Sequence, residues 1–245
     1  MIRTMDAVVL RAFPLGENDR IVIAYAADQG KVKGVAKGAR KRGQRWGAAF
    51  EPLSQVRLSL YARPGAELGR VTGCELLRSH VRMQSDPVHA AICAYLAELT
   101  LELTVEHDPQ PALYRLLLHA LEALERGSEP TLVARYVELW MLRISGHLPD
   151  LTRCPVCLER APGRLRGAEL LCRTCAAPKL STDLEIPAAV LSAGQKLLTN
   201  RIERLGPLPA ADLAQLGRLA AWLIETVVEK PLKTPAVVAR LLRSR

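Results

Sequence analysis

Four cysteines carry the sharpest chemical signal in the chain. Cys154-Pro-Val-Cys157 is followed, after fourteen residues, by Cys172-Arg-Thr-Cys175. Each knuckle presents two thiolates across a tight turn, and two knuckles together suit one tetrahedral zinc ion. With sulfur at all four positions no place is left for an activated water, so the expected role of Zn2+ is structural. Two readings compete: a redox dithiol, which belongs in a βαβ setting absent here, and a module that has lost its metal. Gly163 and Gly167 lie between the knuckles, and Glu169-Leu170-Leu171 reads as a short strand leading into the second, the outline of a zinc ribbon. Cys74 and Cys93 stand alone in a strand-like and a helical segment and read as small buried hydrophobes.

The second signal is charge. Residues 30–47 read GKVKGVAKGARKRGQRWG, with Lys31, Lys33, Lys37, Arg40, Lys41, Arg42 and Arg45 and no acidic residue. Such a run repels itself unless water, salt or an anionic partner screens it. On a strand, Lys31 and Lys33 share one face while Val32 packs inward; the following GARKRGQRWG reads as a loop. A positive groove beside an aromatic platform is how single-stranded nucleic acid is commonly held, and Trp46 closes the run. The plainer alternative is a solvated loop whose tryptophan packs into the domain beneath it.

Catalytic patterns are missing. The chain has no GxxxxGK[ST], GxSxG, HExxH or GxGxxG. Its histidines (His80, His89, His107, His119 and His147) are scattered, and Glu98, Glu102 and Glu106 recur every fourth position as on a solvated helix face. The expectation is a protein that is not an enzyme.

The formal net charge of +9 is unevenly spread. Residues 1–80 carry 14 Lys and Arg against 7 Asp and Glu, whereas residues 81–151 carry 5 against 10. The cysteine region 152–180 is again basic, 6 against 2. A field concentrated on parts of the surface points to a polyanion, nucleic acid being the commonest. No apolar run reaches the roughly 18 residues of a membrane span, and the charged N-terminus holds no signal-peptide segment, so a cytoplasmic protein is expected.

Elements able to position these groups follow from hydrophobic period. Segments 6–12, 21–27, 31–37, 56–62 and 67–76 are short, β-branched and bounded by turn residues. Five such strands suit a small closed barrel, of OB type or SH3-like. From Asp86 the period becomes helical: Pro87 suits a first turn, and Ile92, Leu96, Leu99 and Leu103 recur on one stripe. Further helices are predicted over 111–125, 130–145, 187–200, 210–229 and 235–243. The expected architecture is multidomain α+β. A small closed barrel (1–80) precedes an all-α helical bundle (81–151 with 181–245), into which a four-cysteine zinc-ribbon-like module (152–180) is inserted.

Taken together, Val8-Val9-Leu10-Arg11, Gly16-Glu17-Asn18-Asp19-Arg20-Ile21-Val22, Gly30-Lys31 and Gly34-Val35-Ala36-Lys37-Gly38-Ala39-Arg40-Lys41 resemble the N-terminal signature of the bacterial RecO family. Glu67-Leu68-Gly69 and Cys74-Glu75-Leu76 continue it, and helices interrupted by CPVC and CRTC match the family's layout. The resemblance implies an OB-fold followed by a helical domain with a zinc-finger insert. It also implies a recombination mediator in DNA repair that binds ssDNA and dsDNA without strong sequence preference and anneals complementary strands. With RecR, such proteins help RecA load onto strands coated by SSB, whose acidic C-terminal tail is a further expected partner. The family's basic motif maps onto Lys31, Lys33, Lys37, Arg40, Lys41, Arg42 and Arg45. Gln44 stands where a small hydroxyl residue is usual, and Trp46 where the family has another aromatic. The basic residues of the zinc module, Arg160, Arg164, Arg166, Arg173 and Lys179, are candidates for additional DNA contact. Such a protein is expected in the bacterial cytoplasm, associated with the nucleoid.

Overall fold

A computed structural model describes residues 1–41, 46–63, 65, 68–159 and 163–243. The chain divides into two compact units, Met1–Leu121 with Lys233–Arg245, and Glu122–Leu232. Helices 87–103, 111–121 and 234–243 therefore group with the N-terminal strands, whereas the sequence places them in a separate bundle.

In the first unit, β1 (Ile2–Leu15), β2 (Asp19–Ala26), β3 (Gly30–Ala36), β4 (Gln55–Tyr61) and β5 (Gly69–Arg78) close into a barrel of order β1-β2-β3-β5-β4. Strand β1 pairs antiparallel with both β2 and β4, and β3 meets β5 in parallel. This is the OB arrangement, and the strand order decides between the two barrels the spacing allowed. Alternation sends Met5, Ala7, Val22, Ala24, Val32, Val56, Leu58 and Leu60 into the core. A bulge between Val9 and Arg11 lets β1 bend around the barrel, with Leu10 also buried.

The parallel closure depends on two facing glycines, Gly34 and Gly69. A Cβ on Gly34 would lie 2.9 Å from Leu60 Cδ1, and one on Gly69 would collide with Leu60 Cδ2. Gly69→Ala should therefore destabilise the protein by about 1–3 kcal/mol through overpacking. Leu60→Ala in the same chain should recover part of that loss, which a shift in the urea midpoint would measure.

Helix α1 (Pro87–Leu103) starts at Asp86, whose Oδ1 accepts the Val88 and His89 amides at 2.9 and 3.0 Å. It packs against β1 and against α6 (Thr234–Arg243). Glu98 does not sit on a solvated face as its spacing suggests. Its carboxylate accepts the Lys233 and Thr234 amides at 3.0 and 2.8 Å and the Thr234 hydroxyl at 2.5 Å, and so caps α6. Burial pushes its pKa up, but these donors and the Lys233 charge outweigh burial and hold it below the usual carboxylate value. Helix α2 (Pro111–Glu125) follows a segment whose Gln110 amide donates to the buried Tyr25 hydroxyl at 3.1 Å.

In the second unit, α3 (Pro130–Ile144), α4 (Ala188–Thr199) and α5 (Ala210–Val228) pack together on stripes that include Leu139, Leu197 and Leu216. Between α3 and α4 lies a small antiparallel sheet of β6 (Arg164–Arg166), β7 (Glu169–Leu171) and β8 (Leu184–Glu185), order β7-β6-β8. The cysteine module thus extends to Glu185, past the end the sequence suggests. Trp222 of α5 donates from Nε1 to the Gly167 carbonyl at 2.7 Å, tying the β6–β7 turn to the helices. Among the described residues, no helix is long and apolar enough to cross a membrane.

Candidate nucleic-acid interface and metal centre

The two knuckles converge. The sulfurs of Cys154, Cys157, Cys172 and Cys175 all lie within 4.8 Å of one another, Cys157 and Cys172 being 3.7 Å apart. Four thiolates at about 2.3 Å from a central zinc would stand roughly 3.8 Å from one another, so the donor set fits a tetrahedral ion. Burial raises the Cys154 thiol, but the backbone amides of Cys172, Cys157 and Val156 outweigh this and bring it down to about 6. The Cys175 amide, 3.3 Å from the sulfur, is the main cause of lowering at Cys172. Cys175 is pushed up to about 12 by hydrogen bonding with the Cys172 and Cys157 sulfurs. Two sulfurs favour the charged form while Cys157 and Cys175 resist it, and a cation relieves that conflict. The other two cysteines behave as buried small side chains: burial pushes Cys74 up to about 11 and Cys93 up to about 12.

Three of the module's cations are held by its own carboxylates. Arg166 pairs with Asp183 at 2.8 Å, Arg164 with Glu185 at 3.4 Å, and Lys179 with Glu185 at 3.1 Å. The Arg166 guanidinium also donates to the Ala176 and Pro178 carbonyls at 2.8 and 2.9 Å. Arg173 is exposed, and Arg160 lies outside the described residues.

The basic run divides in two. Lys31 and Lys33 project from the outer face of β3, as alternation predicts, but a helix terminus lies over them. Lys31 Nζ donates to the Leu101 and Thr104 carbonyls at 2.7 and 2.5 Å, at the C-terminal end of α1 where a cation is favoured. Lys33 pairs with Glu106. Gly30, with φ +66°, admits the Asp108 backbone where any Cβ would collide, so the β2–β3 hairpin is seated on this connection.

Beyond β3 the charge is presented differently. Lys37, Arg40 and Lys41 are exposed on the loop leaving the strand. The loop is braced on the β1–β2 hairpin: the Gly38 amide donates to Asp19 Oδ1 at 2.7 Å, the Arg40 amide to the Asn18 carbonyl at 3.0 Å, and the Arg40 guanidinium to the Gly16 carbonyl at 2.9 Å. Arg42, Gln44 and Arg45 lie outside the described residues. Trp46 is 4 % exposed and stacks on Phe50 with ring centroids 5.4 Å apart, within the barrel core. Packing, not a base platform, is thus its place in the fold. No spacing rule reveals the Asp19 brace or the α1 carbonyls, because both come from distant segments.

A closed OB barrel with a braced cationic loop, joined to helices carrying a four-cysteine module, defines a class: an OB-fold protein with an insert whose four sulfurs could hold a metal ion. Comparison with known proteins narrows this. The family model "Recombination protein O N terminal" matches residues 1–80, and "Recombination protein O C terminal" matches residues 84–236. DNA repair protein RecO of Koribacter versatilis (strain Ellin345) is 32 % identical over 244 residues, covering 98 % of this chain and all of that protein. RecO of Anaeromyxobacter sp. (strain K) is 32 % identical over 243 residues, 97 % of this chain and 94 % of that one. RecO of Geobacter metallireducens is 30 % identical over 241 residues, 96 % of each. The chain belongs to the RecO family of DNA repair and recombination proteins.

Proposed function

We propose that the chain is a recombination mediator without catalytic activity, acting in the cytoplasm at the nucleoid. It holds ssDNA and dsDNA without reading sequence and anneals complementary strands. With RecR it helps load RecA onto strands coated by SSB, whose acidic C-terminal tail it also receives. The observation that carries this reading is the exposure of Lys37, Arg40 and Lys41 on one braced loop of an OB barrel. Arg42 and Arg45 follow in sequence and are assigned to the same grip. Lys31 and Lys33 serve the barrel–helix junction, and Trp46 serves the core. The four cysteines hold a structural Zn2+ that organises the module.

Annealing asks a protein to reduce the repulsion between two phosphate chains while leaving their base edges free. Cations on a loop meet that need, since phosphate contacts position a strand without carrying sequence information. The test is strand annealing, with and without SSB, by the wild type and by the triple variant Lys37→Glu, Arg40→Glu and Lys41→Glu. The variant should lose annealing in both settings while retaining its unfolding midpoint. Annealing at the wild-type rate would overturn the assignment.

A further inference from the structure

The four cysteines of the module differ in how they meet solvent. Cys154 is 0 % exposed, Cys172 and Cys175 are half-buried, and Cys157 is exposed. The neighbours of Cys157 are open as well: Pro155, Val156, Leu158 and Glu159 are all exposed, Val156 and Leu158 at 67 %. A small solute can therefore reach this turn from water.

Both turns are fixed by their own backbones. The Leu158 amide donates to the Cys154 carbonyl at 2.9 Å, and the Cys154 amide to the Glu159 carbonyl at 3.0 Å. In the second knuckle the Ala176 amide donates to the Cys172 carbonyl at 3.0 Å, and the Cys175 amide to the Cys172 sulfur at 3.3 Å. Held in this way, the Cys157 and Cys172 sulfurs stand 3.7 Å apart. The most open cysteine thus has a second sulfur in contact, and that sulfur belongs to the other knuckle. A reachable thiolate is oxidised by peroxides to a sulfenic acid, which condenses with an adjacent thiolate to a disulfide.

We propose that Cys157 and Cys172 form an oxidation site, at which a hydroperoxide converts the zinc-holding module into a disulfide form that has released its ion. The Cys157 thiolate attacks the peroxide, making an S–O bond while the O–O bond breaks and hydroxide leaves. The Cys172 thiolate attacks the resulting sulfenic sulfur, making the S–S bond while the S–O bond breaks and a second hydroxide leaves. Two electrons pass from the two thiolates to the peroxide, and two protons turn the hydroxides into water. With two of four donors consumed, Zn2+ is lost to solvent and Cys154 and Cys175 take up protons. The proposal rests on the structural-zinc reading above and adds to it a response to oxidant.

The cross-knuckle position gives the oxidised form its character. A tetrahedral ion would join the two knuckles, and a Cys157–Cys172 bond joins the same two. Cys172 directly follows β7, so that bond also closes the chain around the β6–β7 hairpin. A disulfide within each knuckle would leave the two unconnected. Reduction should therefore return the module to its zinc-binding state.

The test treats zinc-loaded, full-length protein with hydrogen peroxide. A chromogenic chelator follows the metal, and peptide mapping without reduction locates the disulfides. One zinc per chain should be released in step with one Cys157–Cys172 bond, while Cys93, 2 % exposed within α1, stays reduced. Dithiothreitol with added zinc should restore the metal content. Met1, 81 % exposed, reports that the oxidant dose was sufficient. Zinc retained after Met1 has become its sulfoxide would overturn the proposal. A Cys154–Cys157 or Cys172–Cys175 bond in place of the cross-knuckle one would overturn it too, as would a loss of zinc that reductant does not reverse. Protein that takes up no zinc at all would refute the structural-zinc reading, and the oxidation site with it.

Discussion

The logarithm of the binding constant for a single-stranded oligonucleotide is expected to fall against the logarithm of salt with a slope of about −3.5. Each neutralised phosphate on a single strand contributes roughly −0.7, and five cations of residues 37–45, Lys37, Arg40, Lys41, Arg42 and Arg45, are assigned to the grip. Replacing Lys37, Arg40 and Lys41 by glutamine should bring the slope to about −1.4 and weaken binding about a hundredfold at 0.1 M salt. Lys31→Met makes the contrast. Its ammonium holds the Leu101 and Thr104 carbonyls, so the change should leave the slope alone and cost about 1–2 kcal/mol of stability. A wild-type slope near zero, or a slope that tracks Lys31 instead of the loop, would remove the electrostatic account. Both quantities come from anisotropy titrations at four or five salt concentrations and one denaturation series.

The second large effect concerns the cysteines. Metal-replete protein should contain one zinc per chain, and Cys172→Ser or a strong chelator should remove it. Structural zinc contributes on the order of 10 kcal/mol to the folding of small fingers, far more than a three-stranded sheet of two- and three-residue strands can replace. The loss should therefore be local and complete, with protease cleavage opening between residues 152 and 186. The salt slope for DNA should not move, because the grip is assigned to Lys37, Arg40, Lys41, Arg42 and Arg45, which belong to the first unit and not to the module. Full protease resistance in metal-free protein would contradict a structural role for the ion.

Local chemistry was the legible part of this molecule. The two Cys-x-x-Cys knuckles, fourteen residues apart, announced their convergence. The alternation of Val56, Leu58 and Leu60 announced a half-buried strand. Pro87 and the leucine stripe behind it placed α1 almost to the residue. What the chain order hid was whatever lies over a face. Alternation puts Lys31 and Lys33 on the outside of β3, but the carbonyls covering Lys31 belong to residues 70 and 73 positions later. Glu98 and Glu106 have the spacing of a wet helix surface, yet one caps a helix begun 136 residues on and the other holds a strand lysine. Trp46 keeps two fates in the sequence because, although its stacking partner Phe50 is only four residues on, the core that buries both is built from distant strands.

The Glu98 cap on α6 bears on how this chain is made. The first unit is discontinuous: its last helix is drawn from residues after Leu232, whereas the second unit lies entirely within Glu122–Leu232. A ribosome working from the N-terminus delivers every residue of the second unit before it delivers Thr234. The inserted unit can thus be complete while the unit that starts the chain still lacks a helix. Barrel and α1 emerge before the second unit, yet the clasp that Glu98 makes must wait until that whole unit has been synthesised.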